Sequence, residues 1–131
     1  MSLLKRITAS DVAEPAPGTF SQCLIAGDMI FVSGQHAGTA DGGVGGDGSM
    51  LSQATIALEK IKALIEAAGG MMADVAKLTV FVTDISGRAQ ISEARRKFFR
   101  GDFPCSTLVE ITALAQPGLL VEIEAVAIHP R

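Results

Sequence analysis

Two stretches of this chain, 75–84 and 120–128, alternate side chains with a period of two, and they constrain the fold more than any other feature. In the first, Leu78, Val80 and Val82 point one way, while Lys77, Thr79, Phe81 and Thr83 point the other. In the second, Val121, Ile123, Ala125 and Ala127 share a face, and Glu122 and Glu124 share the opposite one. Residues two apart on a strand project to the same side, so both stretches read as strands with one dry and one wet face. The dry face must be covered by another layer.

The sequence supplies that layer. Ala54, Ala57, Leu58, Ile61, Leu64, Ile65 and Ala68 recur at spacings of three and four, which predicts a four-turn helix with one apolar face. Ser49 or Ser52 is placed to cap its start, and Gly69-Gly70 ends it. A second helix is predicted over 88–100, with Ile91, Ala94 and Phe98 inward. Cys23-Leu24-Ile25 and 29–33 form a hairpin around the turn Ala26-Gly27-Asp28, and two further strands are predicted at 107–114 and 120–128, joined by the turn Gln116-Pro117-Gly118. The order β-β-α-β-α-β-β gives an α+β fold, a mixed sheet with two helices on one face, in a single domain spanning 1–131. The other face of such a sheet carries apolar residues with nothing to cover them, and subunit association would bury them.

Composition agrees with a homo-oligomer without requiring it. Of the 131 residues, 48% are hydrophobic and only 19% charged, which is rich in apolar surface for so small a domain. A net charge of −3 offers no footprint for a polyanion, and so argues against nucleic acid as a partner. The one basic cluster, Arg95-Arg96-Lys97 with Arg100, spreads around a helix and reads as a solvated face. The glycine-rich stretch 38–48 reads as a mobile surface loop, with no phosphate-cradling motif in it. Two cysteines, no secretory hydrophobic stretch and no membrane-spanning run suit a reducing cytoplasm and no membrane partner.

Few residues announce chemistry. His36 and His129 are not spaced with any Cys, Asp or Glu as metal ligands, so no metal or cofactor is expected. His36, at a loop edge, reads as a surface residue, and His129 as structural or exposed. Glu122 and Glu124 are the exception, because two carboxylates on one strand face need water or a partner. Cys105 invites a nucleophile reading, but a small buried filler is the better one, since no His or Lys adjoins it in sequence.

Phe103-Pro104-Cys105-Ser106-Thr107, read with 121–127, resembles the signature of the Rid family, also called YjgF/YER057c/UK114. Thr19-Phe20-Ser21-Gln22, Phe31-Val32-Ser33-Gly34-Gln35 and 75–84 follow in the family's order, so the likeness covers nearly the whole chain. It implies a chorismate-mutase-like fold that assembles as a homotrimer, with the sheets inward and a small-molecule cleft at each subunit boundary. It implies that Glu122 positions the water that attacks an imine carbon, a role suited to a group that takes and returns a proton. Phe20, Gly34, Ser92, Cys105, Ser106 and Leu108 fall at cleft positions of the family.

Ser106 departs from the pattern, since deaminating members place there an arginine that grips the substrate carboxylate. A guanidinium makes two charge-assisted hydrogen bonds where a hydroxyl makes one neutral bond, a difference of about 2–4 kcal/mol for a free 2-imino acid. Lys77 and Arg88 are the candidates to replace it. Three readings follow from the resemblance: a binding protein without turnover, an imine or enamine deaminase that uses Glu122, and, lowest, the RNA cleavage in the family label endoribonuclease L-PSP.

Overall fold

The computed structural model describes residues 2–130; Met1 and Arg131, the ends of the expected domain span, lie outside it. Six strands and two helices follow in the order β1 (Leu4–Ile7), β2 (Cys23–Ala26), β3 (Met29–Gln35), α1 (Met50–Ala67), β4 (Val75–Val82), α2 (Arg88–Arg96), β5 (Cys105–Glu110) and β6 (Val121–Ile128). They build one mixed sheet in the order β1-β2-β3-β6-β4-β5. The last strand lies between β3 and β4, antiparallel to both, and β5 runs parallel to β4 at the edge. The expected α+β architecture is present, with one strand more than the alternation predicts.

That extra strand, β1, pairs with β2 although three of its four side chains are exposed. Backbone pairing at an edge needs no apolar pattern, so Leu4-Lys5-Arg6-Ile7 carries no periodic signal. At the other edge β5 covers Cys105–Glu110 and not 107–114. Its ladder with β4 starts at Lys77 opposite Cys105 and ends at Val82 opposite Glu110, after which Ile111 donates one last backbone bond to Val82 and the chain turns away.

Helix α1 forms where the sequence places its caps. The Ser49 hydroxyl accepts from the Ser52 amide at 3.0 Å, and Asp47 accepts from both the amide and the hydroxyl of Ser49, which holds its carboxyl down at about 2. At the other end Gly69 takes a positive φ of 93°, and the amides of Gly69 and Gly70 bond back to Glu66 and Ile65. That pairing closes the helix in a Schellman turn, which a side chain at Gly69 would strain. All seven residues of the predicted stripe are buried. Gln53, buried beside them, accepts from the Leu120 amide and donates to the Gly118 carbonyl, which ties α1 to the start of β6.

The core lies between the helices and one face of the sheet, where Ile61, Leu64, Ile65, Leu78, Val80, Val82, Val121 and Ile123 are fully enclosed. Helix α2 is shorter than predicted, ending at Arg96. The tighter bonds that follow, from Lys97 to the Ala94 carbonyl and from Phe98 to the Arg95 carbonyl, change the phase, so that Phe99 is buried and Phe98 only packs against the core. The opposite face of the sheet is uncovered. Met29, Phe31, Val109 and Ile128 stand exposed on it, beside Glu124 and the half-buried Phe81 and Val126.

Candidate active site

Glu122 lies on the uncovered face at the head of β6, opposite Phe81 of β4. A register shift between Val32 and Gln35 interrupts the β3–β6 ladder, as a bulge does, and brings the Gly34 backbone against the glutamate. A Cβ on Gly34 would fall 2.6 Å from the Glu122 Oε2 and 2.7 Å from its Cδ, so only glycine leaves the carboxylate where it is. Glu122, Gly34 and Phe20 line a cavity of about 370 Å³ together with His36, Lys60 and Gln116. Glu124 points into a separate hollow with Lys77, Thr79 and Phe31. The two glutamates therefore share a face and not a cavity.

His36 is half-buried in this wall and is not the surface residue its loop position suggested. Burial lowers its pKa, Glu122 opposes that shift, and Lys60 adds to it. Its Nδ1 accepts from the Gly38 amide at 3.0 Å, which leaves Nε2 to carry the proton of the neutral ring. Lys60 reaches across from α1 to donate to the carbonyls of His36 and Gly38, at 2.7 and 3.0 Å, and desolvation lowers its pKa as well. These bonds, the Gly38–Val44 bridge and a bond from Gln116 Nε2 to the Gly42 carbonyl pin the glycine-rich stretch that composition alone presented as a free loop. In the cavity wall Gln35 donates to Gln22 and to the Ser33 carbonyl. A carboxylate, a neutral imidazole and an ammonium around one cavity can take a proton from water and supply hydrogen bonds to a polarised bond. Lys60 and His36 had no sequence signal as a pair, because 24 residues separate them and the helix alone brings them together.

Ser92, Ser106 and Leu108 occupy a second place. Ser106 pairs with Leu78 and so shares the helix-covered side of the sheet, whereas Glu122 pairs with Phe81 on the uncovered side. Leu108 packs against the core. Within one chain these residues and the Glu122 cavity do not meet.

Arg95 lies where a solvated helix face was expected. Arg96, Lys97 and Arg100 are exposed as that reading requires, but Arg95 is half-buried and donates to the Ser106 hydroxyl at 2.7 Å and to the Ser92 hydroxyl at 3.1 Å. Ser92 and Arg95 are three apart on α2 and share a side, a spacing that the solvated-face reading passed over. Lys77, one proposed substitute for the missing arginine, faces the Glu124 hollow on the other side of the sheet. Arg88, the other, opens α2 two turns before Arg95 and donates no hydrogen bond to Ser106.

Cys105 also departs from expectation. It is exposed, because the sheet face it shares with Thr107 and Val109 is uncovered at this edge, and Lys77 stands opposite it in the ladder although distant in sequence. His129, by contrast, is held by Asp74 at 2.8 Å in a structural pair. Among the described residues no group of three His, Cys, Asp or Glu is placed to hold a metal ion, and no helix is long and apolar enough to cross a membrane.

The sequence model of the family described as Endoribonuclease L-PSP matches residues 12–129. The chain belongs to the Rid family. The human 2-iminobutanoate/2-iminopropanoate deaminase is 32% identical over 128 residues, covering 98% of this chain and 93% of that protein. Among solved structures, Escherichia coli TdcF with bound serine has a TM-score of 0.82 at 33% identity, over 95% of this chain and 98% of that one. A protein of unknown function from Pseudomonas aeruginosa has a TM-score of 0.86 at 39% identity, over 98% and 94%. This chain is thus a Rid protein with serine at position 106.

Proposed function

We propose that this Rid protein is a homotrimeric deaminase that hydrolyses small imines in clefts between its subunits. The observation that carries the reading is the placement of Glu122, wedged against the Gly34 backbone in a cavity with Phe20 and His36 on the uncovered face of the sheet. The exposed Phe31, Val109 and Ile128 on that face supply the apolar surface that packing of copies would bury. In a trimer with the sheets inward, the Glu122 cavity of one subunit meets the β5 edge of the next, and the two separated groups of cleft residues form one site.

The chemistry balances within that site. Glu122 takes a proton from water as the water oxygen attacks the carbon of the protonated imine, and the C=N π pair moves onto nitrogen as its lone pair. In the resulting carbinolamine, proton return from Glu122 to nitrogen makes ammonia the leaving group. The C–N bond breaks, the hydroxyl proton is released, and the C=O bond forms. Phe20, with Val12 and Ala13, supplies the apolar part of the cavity wall.

Light scattering with ammonia release from freshly generated 2-iminobutanoate tests this. We expect a mass three times the 13.6 kDa chain, turnover by the wild type, and a loss of about 10²–10⁴-fold in Glu122→Gln with unchanged mass and melting temperature. A monomer, or a wild type inert towards imines, overturns the reading.

A further inference from the structure

We propose that Arg95 is the carboxylate-binding residue of this protein, an anchor supplied from helix α2 in place of the strand position occupied by Ser106. The inference deepens the proposed deaminase reading by naming the substrate class as imines that carry a carboxylate. It stands on the geometry around the β5 edge. The guanidinium makes two hydrogen bonds, both to neutral hydroxyls. Of its five N–H groups three stay available, and none has a carboxylate partner among the described residues.

The other arginines of known contact differ. Arg6 is paired with Glu14 at 2.6 Å, and Arg100 bonds back to the carbonyls of Arg96 and Phe99 at its own helix end. Among the described arginines Arg95 alone is half-buried, without a counter-charge, and braced by side chains from two elements. Burial and the neighbouring Arg96 lower its pKa, the direction expected of a cation held without an anion, and it remains charged at neutral pH. Two hydroxyls that accept from one guanidinium fix its plane. A fixed fork with spare parallel N–H groups matches a carboxylate bidentately.

Ser106 then has a positive reason to be serine. Its short side chain ends where the Arg95 head group begins, and an arginine there would put two like charges against each other. A single Ser106→Arg change is therefore expected to weaken carboxylate binding in this protein. The exchange Arg95→Ser with Ser106→Arg should restore it.

The test uses the intact protein and titrates 2-oxobutanoate, the carboxylate-bearing product, by calorimetry, with 2-oxobutanamide as the uncharged probe. Arg95→Gln is expected to weaken 2-oxobutanoate roughly ten- to a hundredfold and to leave 2-oxobutanamide, the melting temperature and the oligomer mass unchanged. Arg95→Lys should recover part of the affinity, and the exchange variant most of it. A purely structural role would move the melting temperature and weaken both probes alike. Arg95→Gln binding as wild type does, or a wild type that does not bind 2-oxobutanoate, overturns the proposal. A wild type that binds 2-oxobutanoate through Arg95 yet releases no ammonia from imines keeps this inference and removes the deaminase reading.

Discussion

The two faces of the sheet differ in what they are made of and therefore in what they do. On the helix-covered face, β4 and β6 present Leu78, Val80, Val82, Val121 and Ile123, all fully enclosed. On the other face the same strands present Thr79, Phe81, Glu122 and Glu124. Each strand thus divides its residues by alternation alone between the core and the face that carries the proposed site. A change on one face should move one property and spare the other.

The largest effect expected from the covered face is that of Ile61→Ala. Ile61 is fully enclosed at the centre of α1, so truncation removes buried methyl groups and leaves a cavity, at about 2–5 kcal/mol of stability. Turnover per folded molecule, measured below the melting transition, should stay within a factor of two. A large loss of activity in a protein still folded would mean that the faces are coupled through the sheet.

The covered face was also the part most legible in the sequence. A period-two pattern in β6 and a three-four pattern in α1 both record burial, and burial against neighbours is what repeats along a chain. What repetition does not record was not legible. Strand β1 is held by backbone pairing alone, Cys105 is exposed because its edge has no covering layer, and α2 stops at Arg96 although the apolar spacing continues. The candidate site was half legible. Glu122 and Gly34 followed from strand alternation and the family likeness, whereas Arg95 was hidden among like charges and Lys60 on the wet side of α1. Their partners, Ser106 on β5 and the His36 carbonyl after β3, are neighbours only once the helices are laid over the sheet.

On the open face the sharper test of the division is Gly34→Ala. Glycine is not needed there for its backbone angles, since its φ lies outside the positive region; it is needed for space. The three atoms nearest the added methyl group all belong to the Glu122 side chain, so that side chain moves aside and the fold is expected to be little disturbed. Activity should fall about ten- to a hundredfold, equivalent to about 1.4–2.7 kcal/mol, because in the proposed mechanism a displaced Glu122 no longer aligns with the attacked carbon. Denaturant midpoints should differ little from wild type. An unfolded or strongly destabilised variant would show instead that Gly34 serves the sheet.

The smallest effect lies where the division is least complete, at His36. Its ring is half-buried at the edge of the cavity, and burial sets its folded pKa below the usual 6.5, with Glu122 opposing and Lys60 reinforcing. Between that lowered value and 6.5 the unfolded chain binds more protons than the folded one, so stability rises with pH through this window and falls as pH drops below 6.5. Below the folded value the loss is complete and the curve levels. Replacing His36 with glutamine removes this contribution. The difference between wild-type and His36→Gln denaturant midpoints, measured from pH 5 to 8, should therefore change across the window and be flat above it. A difference constant with pH would mean that His36 keeps an ordinary pKa and that the cavity charges its stability nothing for holding a neutral imidazole beside the carboxylate.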